Sequence, residues 1–301
     1  MLTLSGSKLR IVAYHAVPDP TIFAHHMDHL AERYEPVSVA QVRRAVDGER
    51  PLPDRAVWVT FDDGDPSVFD VARPILVSRG VPATAFVCPG VIDTARPFWW
   101  VTVREAAEAG LNATVDGQPS SSAQLEAALK VCDDQVRRRV VADLDEQLME
   151  RTGVPLEHPQ ARTEDLRAWL DEGFDIGNHT WDHPCLDRCA EDVQREQVRD
   201  AHDWLTSCLG GQVDLFAYPN GNWAASSEDE LRRLGYRLGL GFDHHLADGR
   251  SEPLRLSRLR LDADAPAPRA RAVLSGLHPW LLAAHSRLAG RTDHDPRRLP
   301  R

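Results

Sequence analysis

The chain has 301 residues, 42% of them hydrophobic and 27% charged, a balance that excludes a disordered or collagen-like protein. Lysine and arginine total 35 against 46 acidic residues, a formal charge of −11, which argues against a protein that tracks nucleic-acid phosphates. No apolar run approaches the roughly 18 residues of a membrane span. The first residues hold no basic stretch followed by an apolar one, so a cytoplasmic location is expected. The five cysteines, Cys88, Cys132, Cys185, Cys189 and Cys208, are odd in number and lack framework spacing, so reduced thiols are expected.

Short β-rich runs alternate with helical patterns, as in βα units around a parallel sheet. Leu9 to Tyr14 reads as a strand ending at His15, and Ser38 with Gln41 forms a capping box that opens a short helix. Ala56 to Phe61 is an apolar strand of the kind covered on both faces. Asp65 and Pro66 supply the cap and first turn of a helix to Arg79, Gly80 closes it, and Ala83 to Cys88 is the next strand. The rhythm then changes. Leu125, Leu129, Cys132, Val136, Val140, Leu144 and Leu148 recur about every four residues, the pattern of one amphipathic helix. A helical insertion at about 97–160 is therefore expected inside a single domain spanning 1–290. Thr163 caps a helix through Leu170, and Gly173 closes it. Strands follow at Phe174–Gly177, Val213–Tyr218, Tyr236–Phe242 and Leu254–Leu261. A last helix reaches to Leu288, and 291–301 forms a frayed, arginine-rich tail.

Thr60, Phe61, Asp62, Asp63 and Gly64 put two adjacent carboxylates at the C-terminal end of a buried strand, where α/β folds place their ligands. His179 and His183 follow another strand, and at i, i+4 they would face the same way on a helix and hold one metal ion. An aspartate and two histidines from two strand ends of one sheet suit an open divalent site, Zn²⁺ first, with Co²⁺ or Ni²⁺ next. His25, His26 and His29 repeat the spacing without a strand-end carboxylate and read as surface residues, as do His244 and His245. A zinc cluster of His183, Cys185 and Cys189 is a further reading, set against cysteine's usual role as a small buried hydrophobe. Trp99, Trp100 and Trp223 could stack on sugar faces, although packing is the commoner use of tryptophan.

Three motifs in this order resemble the polysaccharide deacetylases of carbohydrate esterase family 4: Thr60 to Gly64, His179-Thr180 to His183 with Leu186 beyond, and Phe216 to Gly221. Tyr14, His15 and Val17 are similar to the N-terminal motif of the subgroup that acts on poly-N-acetylglucosamine exopolysaccharide. The resemblance implies a NodB-like, distorted (β/α) barrel with fewer than eight full units. It also implies a metal-dependent hydrolase that removes N-acetyl groups from an amino sugar or glycoconjugate, with a metal-activated water as nucleophile. Position by position, it makes Asp62 the catalytic base, Asp63, His179 and His183 the metal ligands, His15 the acid for the leaving amine, and the N–H of Asn220 an oxyanion donor. Two features depart from the pattern. The arginine that orients the base in many members is replaced by Ala217, with Arg258 the candidate substitute, and the late leucine-x-histidine motif is missing. Ala217 also leaves room for an alternative, a non-catalytic carbohydrate-binding module on the same fold.

Overall fold

The computed structural model describes residues 7–276 apart from 112–113, 116–117 and 120. It begins with strand β1 (Arg10–Tyr14), all of it buried, and helix α1 (Pro20–Arg33), capped by the Asp19 carboxylate. After β2 (Glu35–Pro36), helix α2 (Val39–Val46) starts at the expected capping box, in which Ser38 and Gln41 each accept the other's backbone N–H. Strand β3 (Ala56–Phe61) has the expected bounds and is buried at every position. Asp65 accepts from the Ser67 N–H at 2.9 Å, as a cap should. The helix then winds as a wide π turn over Val68–Ala72 before α3 (Arg73–Arg79). Pro74, which has no N–H for the regular ladder, lies just beyond that turn. Strand β4 (Ala83–Val87) follows.

The insertion comprises α4 (Trp99–Glu108), the antiparallel pair β5 (Thr114–Val115) and β6 (Gln118–Pro119), α5 (Ser122–Leu129) and α6 (Asp134–Thr152). The single helix expected over 125–148 is two helices. Asp133 accepts the Gln135 N–H at 2.8 Å, a local bond that competes with the helix ladder and starts a new helix instead. The apolar period survives the break because both helices face one core, built from Trp99, Val103, Ala106, Leu125, Leu129, Leu144 and Leu148.

Helix α7 (Thr163–Asp171) is capped at Arg162 rather than Thr163, whose N–H and hydroxyl bind the Asp93 carboxylate. Then come β7 (Asp175–Asn178), α8 (Glu191–Leu209), β8 (Leu215–Ala217), α9 (Ala225–Arg233) and β9 (Leu238–Gly241). The chain continues with β10 (Leu256–Ser257), β11 (Leu259–Arg260) and α10 (Ala267–Leu274). The last helix is described through Leu274; its expected course to Leu288, the end of the domain at 290 and the tail at 291–301 lie outside the described residues.

The main sheet runs β10-β9-β8-β7-β4-β3-β1-β11, with β2 also on β3, and every pairing in it is parallel. The strand expected over Leu254–Leu261 is split at Arg258. Its first half pairs with β9 and its second with β1, so one residue joins the two ends of the sheet, which curls nearly into a barrel. Ile11, Trp58, Phe86, Leu215, Leu238, Leu240 and Leu256 share one core. Val12, Val57, Val59 and Phe61, from alternate strand positions, pack in another with Phe23, Leu76, Trp169, Val198 and Leu231 of the helices. Burial of both faces explains why the strands read as continuous apolar runs. The fold is the distorted (β/α) barrel expected, with the motif residues at the C-terminal strand ends.

Candidate active site

Asp62 still belongs to the ladder, its N–H donating to Tyr14 O at 3.0 Å. Asp63 and Gly64 then turn with φ of +72° and +84°, a pair of left-handed residues that reverses the chain. A Cβ at Gly64 would also lie 3.2 Å from Val87. Left-handed backbone is uncommon outside glycine, aspartate being one of the residues that tolerate it best, and such positions gather at functional sites.

His179 and His183 meet through a loop, not along a helix as their spacing suggested. Thr180 and His183 have φ of +71° and +59°, and the two rings lie 4.8 Å apart. Neighbouring groups hold the loop. Asn178 Oδ1 accepts from Thr180 N–H at 2.7 Å and Thr180 Oγ1 from His183 N–H at 3.1 Å. Gln197 Oε1 accepts from the N–H groups of Trp181 and Asp182 at 3.1 and 3.2 Å. Arg138 of the insertion grips the Asp182 carboxylate at 3.0 and 3.2 Å and is itself held by Asp134 at 2.7 Å.

The His179 Nδ1–H donates to Ala217 O at 2.7 Å, which turns Nε2 toward Asp63. Both Nε2 atoms are 3.4 Å from Asp63 Oδ1, and the three donor atoms lie within 4.8 Å of one another. Asp63 Oδ1 is buried without a hydrogen-bond partner, a costly state for a carboxylate that a cation among the three atoms would relieve. Burial pushes the His183 pKa down to about 3, leaving its ring neutral, as a metal ligand must be. Burial also resists charge on His179, yet the Asp62 and Asp63 carboxylates outweigh it and raise that pKa. The spot thus favours a positive charge. One oxygen and two nitrogens fit a divalent site of the zinc type.

Asp62 is partnered differently. Each of its oxygens accepts from Arg258 at 2.7 Å, and neither side chain is more than 1% exposed. The Arg258 guanidinium also donates to Gly241 O at 3.3 Å and sits over the Phe242 ring at 4.2 Å. Burial alone would raise the Asp62 pKa, but Arg258, His179 and His15 hold it below the usual carboxylate value. Ala217, at the position of the missing arginine, contributes only its carbonyl to His179.

His15 follows β1, its ring stacked on Phe242 at 6.4 Å. Burial lowers its pKa, opposed by Asp63 and Asp62. Asn220 has φ of +54° in the turn Pro219–Gly221, and Gly221 must be glycine because a Cβ there would lie 2.6 Å from Phe242 N. His15, Asp62, Asp63, His179, His183 and Asn220 all line one cleft of 740 Å³, while Arg258 lies behind Asp62 and outside the lining. Phe98, Trp100, Arg104, Glu126 and Lys130 bring the insertion into the same wall.

His244 also lines this cleft, although the sequence reading set it aside with His245; its place just after β9, at a strand's C-terminal end, is the signal that identifies it. His26 is structural, with Nε2 on Ala265 O at 2.8 Å. Cys185 and Cys189 stand apart from the three-ligand group: Cys185 Sγ accepts from Asn220 Nδ2 at 3.5 Å and Cys189 Sγ donates to Cys185 O at 3.5 Å. Trp99 is buried beneath Arg137. Trp100 stacks on Phe98 at 4.5 Å and meets the His183 ring at 4.6 Å. Trp223 is 44% exposed, lies outside the cleft lining and carries the Arg255 guanidinium 3.6 Å above its ring.

Comparison with known proteins bears on the family and the fold. The family model described as polysaccharide deacetylase matches residues 49–117 and 125–239, more than half of the chain. The poly-beta-1,6-N-acetyl-D-glucosamine N-deacetylase of Escherichia coli (strain K12) is 26% identical over 220 residues, which make up 71% of this chain and 29% of that protein. The protein of the same name from Staphylococcus aureus (strain N315) is 44% identical over 39 residues, 13% of each chain. The chain thus spans under a third of the length of these curated relatives. Among solved structures, IcaB from Ammonifex degensii superposes with a TM-score of 0.60 at 19% identity, covering 90% of this chain and 97% of that one. The Streptococcus pyogenes deacetylase PplD, in complex with acetate, gives 0.58 at 21% identity, covering 85% and 93%. Both likenesses are of fold.

Proposed function

The chain belongs to the polysaccharide deacetylase family, and on that premise we propose that it hydrolyses the N-acetyl amide of an acetylated amino sugar in a glycan. The observation that carries the proposal is the unequal treatment of two adjacent carboxylates: Asp63 presents an orphaned oxygen between two imidazoles, while Asp62 is clamped by Arg258.

Asp63, His179 and His183 would hold the metal. Bound there, a Zn²⁺-like ion supplies a Lewis acid for the acetamide carbonyl and brings the pKa of a bound water toward about 7. Asp62, held ionised, accepts the proton of the attacking water; each of its oxygens has a second lone pair beyond the bond from Arg258. Arg258 fixes the direction of those lone pairs, the task of the motif arginine missing at Ala217. The N–H of Asn220 is the candidate donor to the developing oxyanion. His15 gives the leaving nitrogen its proton, and the neighbouring Asp63 and Asp62 counter part of the cost that desolvation sets on charging its imidazole. The bonds from Arg258 to Asp62 count against a non-catalytic binding module, because binding alone gives no reason to clamp a second carboxylate.

The test is acetate release from N-acetylglucosamine and its oligomers by purified protein, with and without a chelator and with Zn²⁺ or Co²⁺ added back. Release that stops on chelation and returns with metal is the expected result. No release from any substrate while one equivalent of metal is bound would overturn the catalytic reading.

A further inference from the structure

We propose, resting on the deacetylase reading, that the insertion carries a binding subsite for the sugar next to the reacting one, built from Arg104 and Glu126. Glu126 lies on α5 beside Leu125 and Leu129 of the insertion core, and its side chain is only 8% exposed. Carboxylates are seldom buried so deeply, and an apolar residue in place of a buried ion pair is often neutral or stabilising. Packing therefore gives no reason for a charge here.

The cleft does. Arg104 donates to Glu126 Oε1 at 2.9 Å and remains 57% exposed. Both residues line the same cleft as Asp62, Asp63, His179 and His183. Helix α4 supplies the ruler. Trp100 meets the His183 ring at 4.6 Å, and Arg104 follows four residues later on the same face, a rise of about 6 Å comparable with one pyranose ring. A guanidinium fork and a carboxylate are the groups that bind adjacent hydroxyls in pairs, one as donor and the other as acceptor. The 740 Å³ cleft lies within the roughly 300–1,000 Å³ of sites that enclose sizeable ligands. The lining is polar elsewhere as well, with Asn222 donating to Asp187 at 2.9 Å. The substrate class is accordingly a neutral, hydroxyl-bearing oligosaccharide rather than a lone amino sugar.

The experiment compares kcat/KM for N-acetylglucosamine and its tetramer in the metal-loaded enzyme and in Glu126→Gln, Arg104→Gln and, as a control, Glu105→Gln on the exposed side of α4. The tetramer-to-monomer ratio should fall about tenfold in Glu126→Gln and Arg104→Gln and stay at the wild-type value in Glu105→Gln. Arg104 is exposed enough that its variant should fold even if Glu126→Gln does not. An unchanged ratio in folded Arg104→Gln overturns the subsite. Calorimetry with the N-acetylglucosamine tetramer in an Asp62→Asn background, which should keep its metal, separates this proposal from the function it rests on: tetramer binding weakened by adding Arg104→Gln supports the subsite even if the wild-type enzyme releases no acetate, and tetramer binding indifferent to Arg104→Gln overturns it.

Discussion

In the barrel, Asp62 and Arg258 join through two bonds of 2.7 Å with both side chains at most 1% exposed; in the insertion, Glu126 meets Arg104 through one bond of 2.9 Å with the arginine 57% exposed. At no more than 1% exposure, the deep pair does not readily trade its two bonds for bulk water. It fixes the direction of one carboxylate and holds it ionised, as the proposed proton acceptor would require. The shallow pair can trade hydrogen bonds with a ligand, as recognition requires. Depth, rather than the kind of residue, separates the two pairs and the tasks proposed for them. A third contact, between Arg138 of the insertion and Asp182 of the histidine loop, ties the regions together.

The sharpest way to break the comparison is to empty the deep pair. Arg258→Met strands a buried carboxylate, which should destabilise the fold by about 3–5 kcal/mol and lower kcat by roughly 100-fold or more. Arg258→Lys keeps the charge but loses the fork, so it should restore stability more than turnover. Thermal unfolding and kcat measured together check this, and unchanged kcat in a folded, metal-loaded Arg258→Met would remove Arg258 from the mechanism. Splitting the adjacent aspartates comes next. Asp62→Asn should abolish turnover and keep about one equivalent of metal, whereas Asp63→Asn should lose the metal, both read by elemental analysis. Equal metal loss in the two variants would mean that the carboxylates share one task.

The barrel was more legible in the sequence than the insertion, for a physical reason. Strands buried on both faces announce themselves as apolar runs, and β3 has the expected bounds at Ala56 and Phe61. The grouping of Asp63, His179 and His183 was readable because these residues come after such runs. What stayed hidden depends on partners distant in sequence. Leu254–Leu261 looks like one strand, and only the pairing of its halves with β9 and β1 shows the break at Arg258. The period over 125–148 reads as one helix because two helices on a common core repeat as one would, and Asp133 is too ordinary a residue to mark the break. The histidine pair had the right spacing for a helix, but Thr180 and His183 in left-handed backbone make it a loop. The Glu126–Arg104 pair left no pattern, since nothing local tells a buried glutamate from an exposed one.

The contact between the regions predicts a smaller effect. Arg138→Met should weaken Zn²⁺ binding by about tenfold, the lower end of what supporting groups around ligands contribute, as read by competition with a chromophoric chelator. Arg138→Lys should recover part of the loss. Unchanged affinity would show that the other contacts, from Asn178, Gln197, Gly90 and Arg96, hold the loop without Arg138.

The smallest effect comes from a carboxylate on an outer helix of the barrel, away from the cleft. Glu230, on α9, has a side chain only 3% exposed and is held by Arg233 and by Arg199, the latter at 3.0 Å. The Arg233 hydrogen bond, opposed by burial and aided by Arg199, depresses its pKa to about 2 from an ordinary 4.5. A depressed carboxylate adds stability that is complete above its unfolded pKa and fades as pH falls toward the folded one. The melting temperature of the wild type should therefore exceed that of Glu230→Gln by a margin that holds down to about pH 5 and narrows from there to about pH 2. Chemistry and recognition should be indifferent, because Glu230 lies outside the cleft lining. A margin constant across that range would mean that Glu230 is held by packing alone. A change in kcat at neutral pH would mean that the separation between cleft and scaffold is drawn in the wrong place.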